Sequence, residues 1–503
     1  VTVLVLITGL VGSVGALMVH GHYKGLSSSV RQDVLIAAVP LAVITVLAVF
    51  ALRWRWARQG ALVALVAAVG LQALAATSFY WPTGDRSQFY PSFGVTRYLQ
   101  ANTGHDRIGN LGYTLRPNVT AYYGIRTITG HGFFPKPMKD LLLAIDPSSF
   151  QGGPTYSLLT PLASKLVNEP GLDRLGVRYL AADVDAVLPG TLSNPQPLLG
   201  TVDPLLSSTG SQPLTPGTSY RATIAAGAVR GVSLPLTATA ARTTVTVVLS
   251  RADGSVIASD SRHIAAGDWQ VPVPLAAESA SPAPKPGERW QVRVTVDQAG
   301  VTAKTTDGGL IQLGAVRPDP ATSSLKLVYA GDGVVLWQRL NYLPRIHWAS
   351  QATVIGADKA RLAATADSPV DPSQVILASD PAGPLPAGPV APSAMRIDED
   401  SADTIRVSET SSAAGYLVVA DNVQDDFAAT VDGHAAPIVA ADYAGGGVYV
   451  PAGSHQITLK YAPKGRKTGT AITGVSGLAL ILLALPPVWW TRLRRRRRAA
   501  QPS

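Results

Sequence analysis

Hydrophobic and polar positions are unevenly spread along this chain. Four stretches, residues 1–19, 34–52, 60–81 and 469–490, are almost free of charge. A helix needs about 20 apolar residues to cross a bilayer core, so each predicts a transmembrane helix. Between 82 and 468 the pattern breaks into short periodic runs. Val95, Tyr98 and Leu99 fall at i, i+3, i+4 and predict a helix over 93–102. Pro137 near a start and Asp146-Pro147 past an end bracket a second helix over 137–145. A third is expected over 158–168. GLDRLGVRYLAAD, residues 171–183, reads as a helical turn, a stop at Gly176 and a strand.

Beyond residue 200 the period shortens to two. Residues 243–264 hold two β-branched runs around Asp253-Gly254, a hairpin signal. DWQVPVPL and ERWQVRVTVDQ alternate apolar and polar positions across a Pro-rich loop. Residues 201–320 therefore read as an inserted β-sandwich. A further hairpin is expected on Gly331-Asp332-Gly333, and a tight turn on Asp432-Gly433.

The expected fold class is a membrane protein: α-helical transmembrane spans plus a large extracytoplasmic region of mixed α/β and two β-sandwich domains. Its parts are three transmembrane helices over 1–81, an α/β domain over 82–200 and the inserted sandwich over 201–320. A return segment of the α/β region covers 321–369, and a Pro/Ala-rich linker covers 370–402. A membrane-proximal sandwich over 403–468, a span over 469–490 and a basic cytoplasmic tail over 491–503 complete the chain. It starts at Val1 rather than Met, with no basic segment before the first apolar run, so it is expected to be the C-terminal part of a longer protein.

Charge sharpens this picture. The 503 residues carry a formal net charge of +9 with only 15% charged residues and no cysteine. Removing Arg53, Arg55, Arg58, Arg492, Arg494, Arg495, Arg496, Arg497 and Arg498 brings the net charge to zero. A nucleic-acid protein spreads basic residues over a folded face, whereas these border apolar runs. They are expected in the cytoplasm, with Trp54, Trp56, Trp489 and Trp490 as interfacial anchors and the lipid bilayer as partner. No nucleic acid is expected. Without cysteine, no disulfide holds the extracytoplasmic region together.

The chemistry-bearing motifs are sparse. His20-Gly-His22 lacks the third ligand of a metal site, and no metal site or cofactor is assigned. Asp183-Val-Asp185 matches the Asp-x-Asp of nucleotide-sugar enzymes, but its spacing is common by chance. Asp398-Glu-Asp400 reads as solvated charge, and Asp425-Asp426 as a surface turn. No nucleophile–His–acid order and no phosphate loop is present, so no catalytic residue is assigned. The best candidate for substrate contact is 116–131. It interleaves Arg116, Asn118, Tyr122, Tyr123, Arg126 and His131 with glycines. Tyrosine faces suit sugar rings, and arginine suits phosphate. The competing reading of this stretch is a packed, turn-rich strand pair.

Several segments resemble a known family in order as well as content. YPSFGVTRYLQANTGHDRIG, RPNVTAYYGIRTITGHGFF and DRLGVRYL are followed by LVYAGDGVVLWQRLNYLPR, GYLVVADNVQDDFAATVDGHAAPI and VYVPAGSHQITLKYAP. Together they are similar to YfhO-like bacterial membrane proteins, over most of the chain except the insertion at 201–320. One departure is Asp425-Asp426-Phe427, where the family has an aromatic-rich Gly-Trp; Phe427 can fill the tryptophan's core role.

The resemblance implies a multi-span GT-C-type glycosyltransferase. Such a protein transfers sugar from a polyprenyl-phosphate donor to a cell-envelope glycan on the outer side of the bacterial cytoplasmic membrane. It also implies that the catalytic loop lies N-terminal to this chain. The alternative is a non-enzymatic, membrane-anchored glycan-binding or envelope-assembly protein.

Overall fold

The computed structural model describes residues 90–484 apart from 117–118, 151–152, 161–168, 185–199, 240–241, 423–426 and 464, together with scattered positions between 54 and 85. Two compact units are present, Val1–Pro91 and Ser92–Ser503.

The second unit starts with a mixed α/β module. Its sheet runs Arg107–Leu111, Val177–Asp183, Val334–Arg339, Leu325–Gly331. The first pair is parallel and the other two are antiparallel. The parallel pair needs a crossover, and the helix Lys136–Ile145 lies within it. That helix buries Met138, Leu141, Leu142 and Ile145, a stripe at three- and four-residue spacing. On the other side, the helix Gly94–Asn102 packs Val95 and Leu99 against Ile108, Tyr179 and Leu336.

Residues 200–318 are inserted between the second and fourth strands of that sheet. They form two sheets around one core, with Val245, Val247 and Leu249 on one side and Val232, Leu234 and Leu236 on the other. Trp290 is fully buried between them. A third layered module holds a six-stranded sheet containing Ile346–Ala349 and Gly415–Val419, and a five-stranded sheet containing Ala394–Asp400 and Thr404–Ser411. Leu417 and Val448 of the first sheet meet Val407, Ile457 and Leu459 of the second. The strands Gln374–Leu377 and Ala394–Asp400 both come from the Pro/Ala-rich stretch.

The first and third modules meet through buried charge. Asp400 Oδ2 lies 2.7 Å from His105 Nδ1, and its Oδ1 lies 3.0 Å from Arg126 Nη2. Arg345 bridges Asp400 and Asp421, and Arg107 also pairs with Asp421. The Asp400 side chain is only 4% exposed, which corrects the expectation of solvated charge at that residue, while Asp398 is exposed and the Glu399 side chain is 37% exposed. Burial alone would raise its pKa, but the bonds from Arg345, His105 and Arg126 hold the carboxyl below its ordinary range. Gly176 makes the junction possible. Its φ is +70°, and an added Cβ would sit 2.7 Å from the Arg345 Cα.

The expected fold class needs correction. The spans at 1–19 and 34–52 lie outside the described residues. Among the described residues no helix is long and apolar enough to cross a membrane, and strands dominate. The expected span at 469–490 is described only as far as Ala484, within the helix Arg466–Ala484. That helix opens on Arg466-Lys467 and then carries Thr468, Thr470, Thr473, Ser476 and three glycines, so continuous apolar sequence starts only at Leu478. The Thr470 and Thr473 hydroxyls donate back to the carbonyls of Arg466 and Gly469.

Candidate functional site

The strongest surface feature is a row of aromatic rings at one end of the α/β module. The strand Arg107–Leu111 ends at Gly112, which has φ +62° and donates its N–H to the Leu159 carbonyl at 2.8 Å. Tyr113 follows and is 67% exposed. Beside it runs a short antiparallel ribbon, Gly130–His131 against Tyr156–Ser157, with His131 directly opposite Tyr156. The Gly132 N–H extends the ribbon by donating to the Thr155 carbonyl at 2.8 Å.

This backbone sets three rings side by side. Tyr113 and Tyr156 have centroids 5.8 Å apart at an interplanar angle of 33°. His131 and Tyr156 are 5.7 Å apart at 48°. Thr155 Oγ1 lies 3.3 Å from His131 Nε2. Phe133, two residues beyond, is 95% exposed. Rings of this size are usually buried, so an exposed cluster marks a binding surface more often than a lone exposed residue does. Partial burial, then the neighbouring Tyr113, push the Tyr156 phenol above its usual range, leaving it a neutral donor.

The arrangement offers flat apolar faces edged by hydroxyl and imidazole groups. That combination suits a ligand with one apolar face and many hydroxyls, which is the chemistry of a saccharide ring. Among the described residues no group of three His, Cys, Asp or Glu is placed to hold a metal ion.

The six residues singled out from the sequence are dispersed. His131 belongs to the row. Arg116 is exposed, three positions beyond Tyr113. Asn118 lies outside the described residues. Tyr122 is 41% exposed and meets Tyr123 edge-on at 5.1 Å. Tyr123 packs against the cluster of Val95, Leu99 and Ile125. Arg126 is held by Asp400 in the junction between modules. Tyr113, Tyr156 and Phe133 were missed. Their signal was modest: tyrosines in GYT and PTYS and a phenylalanine after a glycine, each close to turn residues.

The other motifs contribute less. Asp183 ends its strand exposed, Val184 is buried, and Asp185 lies outside the described residues. His20, His22, Asp425 and Asp426 also lie outside them. Of the expected anchors only Trp54 is described, 40% exposed. Trp56, Trp489, Trp490 and all nine tail and loop arginines fall outside.

No known family's sequence profile matches the chain, and no curated protein matches it. Among solved structures there is weak similarity to arabinofuranosyltransferase AftD from Mycobacteria. One AftD structure shows 15% identity over 65% of this chain and 26% of that one, with a TM-score of 0.16. A mutant of the same enzyme shows 16% identity over 53% of this chain and 15% of that one, with a TM-score of 0.15. A cycloisomaltooligosaccharide glucanotransferase from Paenibacillus sp. shows 9% identity over 56% and 47%, with a TM-score of 0.12. This chain therefore spans about a quarter or less of the AftD chains. At these scores the likenesses carry no argument about activity.

Proposed function

We propose that this chain is a glycan-binding part of a cell-envelope glycosyltransferase-type protein, and that the aromatic row holds the acceptor saccharide. The observation that supports the reading is the series of exposed Tyr113, half-buried Tyr156 and exposed His131, spaced at 5.8 and 5.7 Å. Aromatic faces grip the C–H face of a sugar, and the flanking polar groups fix its orientation. The sequence resemblance to YfhO-like proteins points the same way. On this reading the acceptor is a cell-envelope glycan met outside the cytoplasmic membrane. The donor is a polyprenyl-phosphate-linked sugar used by a catalytic loop elsewhere in the protein.

The role proposed for the row is binding, with the Thr155 hydroxyl and the His131 imidazole beside the ring faces. Titration of the full chain with neutral furanosyl and pyranosyl envelope oligosaccharides tests this. Tyr156→Ala is expected to weaken binding about tenfold, or about 1.4 kcal/mol, while Tyr156→Phe keeps most of it. Equal affinity of Tyr156→Ala and the unaltered chain, or no binding by any saccharide, would overturn the proposal.

A further inference from the structure

A separate cleft opens between the helix Pro170–Arg174, the segment after the strand Val334–Arg339, and residues 369–372. Its volume is about 610 Å³, within the range of roughly 300–1,000 Å³ typical of small-molecule sites. Asp173 and Arg339 line its inner wall, and Asn341, Tyr342, Pro369 and Pro372 line the rest of it.

The inner wall is asymmetric. Arg339 Nε and Nη2 both donate to Asp173 Oδ1, at 3.0 and 2.8 Å. The Nη2 group also donates to the Glu169 carbonyl at 2.9 Å. Asp173 Oδ2 accepts no hydrogen bond from the described residues, although the side chain is only 9% exposed. That oxygen is left as an acceptor on the wall of the cleft, where a ligand hydroxyl could donate to it.

Charge selects the class of that ligand. The Asp173–Arg339 pair is neutral as a unit. A cationic ligand would meet Arg339. An anionic ligand would meet Asp173, while Arg339 already spends donors on its own partners. Tyr342 supplies a phenol pushed up to about 12, chiefly by burial and then by Asp106, so it too stays neutral. Proline and tyrosine faces complete an apolar wall beside these polar groups.

We infer that this cleft is a second saccharide site, selective for neutral sugars, whose hydroxyl donates to Asp173 Oδ2. The inference rests on the glycan-binding reading for its ligand class and stands on its own residues for its geometry. With two such sites, one chain would hold a glycan at two points.

The test is calorimetric titration of the full chain with a neutral oligosaccharide and with its uronic-acid counterpart. Tyr156→Ala weakens the row about tenfold, and Asn341→Ala and Leu340→Trp perturb the cleft without touching the buried ion pair. About one equivalent of neutral sugar should still bind in Tyr156→Ala. Adding Asn341→Ala or Leu340→Trp should weaken that residual binding at least fivefold, and the uronate should bind about tenfold more weakly. Complete loss in Tyr156→Ala alone would overturn the cleft and leave the row standing. Residual binding that ignores both cleft changes, or equal binding of the uronate, would also overturn it. Loss with the cleft changes but not with Tyr156→Ala would instead remove the row.

Discussion

Glu409 occupies a core-facing position on the strand Thr404–Ser411, in line with Ile405 and Val407. It is 2% exposed, and neither carboxyl oxygen has a hydrogen-bond partner. Its cross-strand neighbours are Met395 and His455. His455 Nδ1 lies 2.7 Å from Asp432 Oδ2, so the imidazole already has a carboxylate. Burial pushes Glu409 up to about 7 from its usual 4.5, with His455 pulling weakly the other way. A raised carboxyl stabilises the fold fully below the unfolded value, and that stability is lost as pH rises through about 7. His455, raised by Asp432, acts in the same direction. Glu409→Gln is therefore expected to flatten stability between pH 5 and 8. It should raise stability at pH 8 by up to about 3 kcal/mol, read from urea melts. An unchanged pH slope would show that Glu409 is solvated. Neither Glu409 nor Asp400 was legible as buried in the sequence. The partners of Asp400 are Arg345, Arg126 and His105, the last 295 positions away, and no local pattern carries that information.

Turns and helix ends were more readable, because their physics is local. Asp332-Gly333 and Asp432-Gly433 both pair positive-φ aspartate with positive-φ glycine, at +55° and +72° and at +51° and +81°. Such turns match strand twist and favour Asp-Gly. Gly254, at φ +87°, lies in the longer loop that joins Thr243–Ser250 to Val256–Ile264. The helix expected over 93–102 is observed as Gly94–Asn102, and the one over 137–145 as Lys136–Ile145. The sequence gives no hint, however, that Asp332 serves two elements. Its Oδ2 accepts from the Val95 N–H at 2.9 Å, at the start of a helix 237 positions earlier, and from the Tyr329 hydroxyl at 2.7 Å. Asp332→Ala should cost about 1–2 kcal/mol in thermal melts, while Asp332→Asn, which tolerates the same φ and still accepts, should cost less. Equal losses would assign the effect to charge rather than to capping. The apolar run at 469–490 begins within the helix Arg466–Ala484, and its residues 485–490 lie outside the described residues.

At the scale of the whole molecule, the described part of the second unit is a β-rich assembly whose first and third modules share a charged seam. Breaking a buried ion pair by removing one partner leaves the others uncompensated. Asp400→Ala should therefore cost about 3 kcal/mol or more in denaturant melts, since Arg345, Arg126 and His105 all lose a partner. A loss under about 1 kcal/mol would mean the seam is solvated in solution. The candidate site was half legible for a related reason. The stretch 116–131 was chosen for its tyrosines, arginines and glycines, and it contains His131. Tyr156, however, comes to His131 only through the ribbon that pairs them. The central claim concerns where a saccharide sits. The most direct measurement is photo-crosslinking of a diazirine-bearing neutral envelope oligosaccharide to the full chain, followed by peptide mapping. Adducts on Tyr113, His131, Phe133 and Tyr156, competed away by unlabelled sugar, are the predicted result. Adducts that avoid these residues, or that survive competition, would contradict the account.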